Sequence, residues 1–236
     1  MPSSPTYVMI PGAWHGGWVW RPVAQRLRAA GHRVLTLTMP GLSDGDDPVG
    51  LNLQHAIDHV VNEARRCGGP VNLVAHSWGG IPATAAAHIL KEQVNKVVYQ
   101  SAFIPTPGIA LNDENPPEVA AFMRAAVAAS PQRTVALPFD TFAAVLMQDQ
   151  IEPVQRIVHN LLTAMPGRYM LDAPQMPPIS DLVMPTAYIL AEDDRGLPLP
   201  GSHLAARLGV EPIMVPGSHE SLLTHPDEVA KAVLAV

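Results

Sequence analysis

The sequence predicts an α/β fold, a mostly parallel six-stranded sheet with helices on both faces. Two observations carry that expectation. Short apolar runs alternate with stretches of helical period through the first half of the chain, and the alternation stops near Ile104 and resumes at Thr186. A strand–helix–strand rhythm requires right-handed crossovers, which cover both faces of the sheet and bury its strands. The interruption reads as an insertion, so the expected layout is a core of residues 1–105 and 184–236 with a helical cap insertion over 106–183.

Each element follows from local chemistry. Residues 7–10, Tyr-Val-Met-Ile, form an apolar run closed by Pro11-Gly12 and read as a buried strand. Over 21–30, Val23, Leu27 and Ala30 recur at helical spacing before Gly31. Residues 33–38 give the next strand, ended by Pro40-Gly41. A helix over 53–66 places Ile57, Val60, Val61 and Ala64 on one face and stops near Gly68-Gly69. Strand 70–75, helix 81–90 and strand 94–99 follow, with Pro82 tolerated in a first turn. The insertion shows helical patches at 117–129, 139–147 and 152–165 and no convincing strand. Strand 186–191, a helix around 202–208, strand 211–215 and a helix over 227–234 complete the chain.

Composition excludes several function classes. With 236 residues, 47% hydrophobic and 15% charged, the chain can bury a sizeable core and does not resemble a disordered segment. Its formal net charge of −6 offers no footprint for nucleic acid, and no Lys/Arg cluster suggests a bilayer surface. No stretch reaches 18 apolar residues, and Met1-Pro-Ser-Ser-Pro5 runs into the first strand without the regions of a signal peptide. A soluble, cytoplasmic protein without membrane or nucleic-acid partners is expected; the oligomeric state is open. The single cysteine, Cys67, excludes an internal disulfide and a cysteine-rich metal site. Neither a phosphate-loop pattern nor G-x-G-x-x-G is present, and the ten histidines show no HExxH spacing, so no cofactor and no metal are expected.

The chemistry centres on Ala75-His76-Ser77-Trp78-Gly79-Gly80, between a buried strand and a helix. That is the context of a nucleophile elbow, where a sharp turn exposes a serine and its neighbours must be small. Ser77 needs a base, and the order Ser…Asp…His places an acid after a later strand and a histidine near the C-terminus. His219, in the small-residue loop Pro216-Gly217-Ser218 after a strand end, is the expected base; His225 and His203 read as surface residues. The acid comes from Glu192-Asp193-Asp194, with Asp194 favoured and Asp193 and Glu192 as alternatives. Oxyanion donors are expected from the backbone N–H groups of Trp78 and Ala13, with Trp14 as the next choice in the glycine-rich loop 11–18. His15 in that loop reads as a packing residue. Trp14, Trp78 and Phe103 are expected pocket walls, beneath a roof of apolar cap residues.

These residues resemble the α/β-hydrolase superfamily, and within it the small esterase group of plant methylesterases and hydroxynitrile lyases. The likeness is carried by Val8-Met-Ile-Pro-Gly-Ala-Trp-His-Gly-Gly-Trp18, Ala30-Gly31-His32-Arg33-Val34, the Ser77 elbow, Ser101-Ala-Phe-Ile-Pro105, Glu192-Asp193-Asp194-Arg195-Gly-Leu-Pro198 and Gly217-Ser218-His219. Pro11 and Ala75 depart from the histidine and glycine common there. The resemblance implies a cap after the strand ending near Tyr99, and an acid four residues before Pro198, which is Asp194. It also implies that lyases of the group carry a lysine after the histidine and an acid before the serine. Those positions hold Glu220, which either opposes a departing anion or caps the next helix, and His76.

The expected activity is a cofactor-independent serine hydrolase, carboxylesterase-like, cleaving a small-molecule ester of a small or medium apolar acid through an acyl-enzyme. Rival readings are a thioesterase, lactonase or acyltransferase, a non-hydrolytic lyase or cyclase, and a ligand-binding protein that keeps the triad.

Overall fold

The computed structural model describes residues 4–236; residues 1–3, and with them part of the N-terminal reading above, lie outside the described residues. In chain order the first elements are β1 (Thr6–Ile10), α1 (Arg21–Ala29), β2 (Val34–Thr36), α2 (Leu53–Arg66), β3 (Val71–His76), α3 (Gly80–Leu90) and β4 (Val94–Gln100). Between β4 and the next core strand come α4 (Pro117–Ala129), β5 (Thr134–Val135), α5 (Phe139–Thr141), α6 (Glu152–His159), β6 (Met165–Pro166) and α7 (Arg168–Leu171). The chain closes with β7 (Thr186–Ala191), α8 (Gly201–Arg207), β8 (Ile213–Val215), α9 (Ser221–Thr224) and α10 (Pro226–Ala235).

Six strands form one sheet in the order β2-β1-β3-β4-β7-β8, every pair parallel. Alternation along the strands assigns their side chains to two layers. Val8, Ile10, Leu73, Ala75, Val97 and Tyr99 pack in the layer that holds α2 and α3, whereas Tyr7, Met9, Val74 and Val98 pack with the apolar faces of α1 and α10. The connection from β1 leads outward to β2, and the later strands build the other way from β3. The strand order therefore reverses between β1 and β3, and a crevice opens at their carboxyl ends.

Three expectations need correction. The outer strands are shorter than the apolar runs, β2 covering 34–36 of 33–38 and β8 covering 213–215 of 211–215, because each has one partner to hold it. The helix expected over 152–165 ends at His159, where the chain turns and Thr163 N–H donates to the Trp14 carbonyl at 2.9 Å. Beyond it Met165–Pro166 pairs antiparallel with Thr134–Val135, a ribbon too short to leave a period in the sequence. The helix expected over 139–147 is one α-helical turn followed by the π-helical segment Phe142–Leu146.

Candidate active site

Ser77 follows β3 directly, with φ +51°, the left-handed conformation that a sharp turn imposes on a residue with a side chain. The turn brings the backbone against β1: a Cβ on Gly79 would lie 2.5 Å from the Pro11 carbonyl oxygen, so only glycine fits there. Ala75 is fully buried within β3. The elbow thus stands over the strand-order reversal, beside the loop that leaves β1.

His219 and Asp194 come from the loops after β8 and β7. The His219 Nδ1–H is shared between Asp194 Oδ1 at 2.9 Å and Oδ2 at 3.0 Å, both side chains almost wholly buried. Gly196 N–H donates to Asp194 Oδ1 at 2.8 Å. Burial alone would raise the Asp194 carboxyl, yet the charge and hydrogen bond of His219, with the Ser101 hydroxyl and the Gly196 amide, hold it below the ordinary value. Burial likewise works against the His219 imidazolium, and the Asp194 carboxylate with the charge of Glu220 outweighs it, so His219 titrates above an ordinary histidine. Of the two other acids, Asp193 and Glu192 are exposed and neither bonds His219.

Ser77 and His219 line one cavity of about 540 Å³. Among the described residues the Ser77 hydroxyl makes no hydrogen bond, so Ser77 and His219 share the cavity without being joined across it. Ala13, Trp14, Trp78 and Phe103 also line it. Trp14 has φ +65° and anchors its indole N–H on the Val135 carbonyl at 3.0 Å; Trp78 is fully buried, stacks on Tyr169 and donates to the Tyr169 carbonyl at 2.9 Å. No loop or turn hydrogen bond among the described residues uses the Ala13 or Trp78 N–H. Val119, Phe122, Met123 and Leu146 contribute apolar walls.

Residues 142–149 clamp both loops. Ser218 Oγ contacts the Leu146 carbonyl at 2.9 Å and Asp149 Oδ1 at 2.8 Å, Glu220 N–H donates to the Leu146 carbonyl at 3.2 Å, and Gln148 Nε2 donates to the Asp193 carbonyl at 2.6 Å. Sequence reasoning did not anticipate this clamp, nor Ser101 and Gly196 around Asp194. Glu220 does not cap the next helix: it makes no helix-capping hydrogen bond and is wholly buried against His15 and His76, lining the cavity.

The profile of the alpha/beta hydrolase family matches residues 7–232. The chain belongs to this family. Its relatives include the carbendazim hydrolyzing esterase of Nocardioides sp. (strain SG-4G), 40% identical over 123 residues, which are 49% of this chain and 50% of the relative. Methyl jasmonate esterase 1 of Vitis vinifera is 30% identical over 110 residues, 45% of this chain and 42% of the relative. These matches thus span about half the length of the curated relatives. The resemblance to plant methylesterases and hydroxynitrile lyases holds, both being among the relatives. In fold, the extracellular α/β-hydrolase from a Paenibacillus species superposes with TM-score 0.91 over 98% of each chain at 21% identity. No helix of the described residues is long and apolar enough to cross a membrane, and no metal-holding group of His, Cys, Asp or Glu occurs among them.

Proposed function

We propose that this hydrolase is a serine esterase in which Ser77, His219 and Asp194 form the catalytic triad. The observation that carries the reading is the His219–Asp194 hydrogen bond beside a left-handed Ser77, with Ser77 and His219 opening on one mainly apolar cavity and Asp194 behind the imidazole. Asp194 fixes the proton on Nδ1, which leaves Nε2 free to take the Ser77 proton as Oγ attacks the acyl carbon. The tetrahedral oxyanion is received by the Ala13 and Trp78 N–H groups, contributed by the two loops that diverge at the strand-order reversal. His219 then protonates the leaving alcohol, and water, activated by the same imidazole, hydrolyses the acyl-enzyme.

The substrate is a small-molecule ester whose acyl part is small or medium and apolar, in keeping with the cavity and with relatives named as esterases. Residues 106–183 act as the cap that supplies Val119, Phe122 and Leu146 to the pocket. Cyanohydrin cleavage is disfavoured because the position after His219 holds Glu220 and so supplies no cation to a departing cyanide. A fluorophosphonate probe should label Ser77 alone, and Ser77→Ala should abolish both labelling and turnover of short acyl esters. Labelling elsewhere, or turnover that survives Ser77→Ala, removes the reading.

A further inference from the structure

Behind the site lies a buried group of titratable side chains that the mechanism above does not use. Glu220 is wholly buried, with His15 Nε2 at 3.4 Å from Oε1 and His76 Nε2 at 3.8 Å from Oε2. All four of these atoms lack a hydrogen bond with good geometry. The three residues come from three segments of the site: the loop after β1, the residue before Ser77 and the residue after His219.

The tautomers are dictated by the backbone. His15 Nδ1 lies 2.7 Å from the Ala13 carbonyl and His76 Nδ1 lies 3.3 Å from the Gln100 carbonyl. A carbonyl only accepts, so each Nδ1 carries a proton. A neutral imidazole then has a bare Nε2, and both bare lone pairs would face the Glu220 carboxylate where water is excluded. A buried carboxylate opposed by two lone pairs is untenable, and one additional proton between carboxylate and imidazoles removes the conflict.

We propose that Glu220, His15 and His76 hold one shared proton, and that this cluster is a positioning device for the oxyanion hole. The link runs from Glu220 through the proton to His15, and from His15 Nδ1–H to the Ala13 carbonyl, fixing the residue whose N–H receives the oxyanion. The shared proton also cancels a negative charge that would otherwise oppose the oxyanion from within the cavity wall, since Glu220 lines the cavity. The charged or titratable neighbours are His219, whose ring centroid lies 4.7 Å from that of His76, and Asp194 beyond it. The catalytic part of this proposal rests on the Ser77–His219 reading; the proton count does not.

The test has two arms. In the intact protein, ¹⁵N NMR of the imidazoles should show Nδ1–H on both His15 and His76, with the extra proton seen at an Nε2 or at the Glu220 carboxyl; in Glu220→Gln it should be gone. A neutral Nε2–H tautomer with a bare Nδ1 on either ring overturns the proposal, whatever Ser77 does. In the second arm, Glu220→Gln should lower kcat about tenfold or more with KM within about twofold, because oxyanion donors act in the transition state. Glu220→Asp, which keeps the carboxylate, should recover part of that loss. An unchanged kcat in Glu220→Gln, or a loss that Glu220→Asp fails to relieve, overturns the positioning role. Failure of Ser77 to label with a fluorophosphonate would instead count against the esterase reading, leaving the NMR arm to decide the cluster.

Discussion

Asp194 and Asp193 are adjacent in sequence and opposite in consequence. Asp194→Asn replaces a nearly buried carboxylate that receives the His219 Nδ1–H on both oxygens and the Gly196 N–H on one. The asparagine oxygen is drawn to the Gly196 amide, and its NH₂ then meets the imidazole N–H donor to donor. Removing one partner of a buried charge pair costs about 3–5 kcal/mol. Felt in the transition state, where His219 is an imidazolium, that is about 10²–10⁴-fold in kcat/KM. Asp193→Asn removes an exposed charge, while its backbone bonds, N–H to the Gly217 carbonyl and C=O from Gln148, persist. Its effect should stay within about twofold. The assay is kcat/KM on a chromogenic short-chain ester, with far-UV circular dichroism to establish folding. Equal losses, or the larger loss at Asp193, would refute the assignment of the acid.

Other consequences can be measured independently. As the proposed base His219 must be neutral, and it titrates above an ordinary histidine, so kcat/KM should rise with pH along a limb centred above about 6.5. The ion pair contributes to stability with the opposite sense on the alkaline side. The His219 share is complete below its unfolded value and lost as pH rises through the raised one, while the Asp194 share, from a lowered value, is lost only as pH falls through that value. Denaturant titrations across pH would read this. Gly196→Ala puts a Cβ 2.7 Å from the His219 ring and should lower turnover at least about tenfold in a folded protein. Ser218→Ala strips buried bonds to Leu146 and Asp149 and should cost about 1–3 kcal/mol in urea unfolding. Phe122→Ala, at a position 63% exposed on the cavity rim, should alter preference among acyl chains while Ser77 labelling is retained.

Ser77 and His219 were legible because each follows an apolar strand into a turn of small residues; for the acid the pattern offered the run Glu192-Asp193-Asp194, and only the fold's pairing of Asp194 with His219 separates it from its neighbours. The sheet was legible for the same reason, except at its edges, where burial no longer marks the strand ends. Glu220 was not. A carboxylate at a helix entrance reads as a cap or a solvated charge, and its burial depends on His15 and His76, which only the tertiary fold brings to it. The clamp at 142–149 was equally hidden, since it acts through the Leu146 carbonyl and a π-helical turn that no side-chain period encodes. The β5–β6 ribbon has two residues per strand, below the length at which alternation can be read.

The bonds from residues 142–149 to the loops of Asp194 and His219 make the two sides of the pocket unequal partners in evolution. On the α4 side, Val119 and Phe122 line the cavity yet are exposed, 42% and 63%, so that rim can be rewritten for a new acyl group at little risk to the chemistry. At 142–149, any change that lifts the chain also releases Ser218 and slackens the loop that holds His219. Swapping the whole of 106–183 for a relative's segment would therefore transplant a support of the Asp194 and His219 loops along with one wall of the cavity. A graft confined to α4 would carry over selectivity alone.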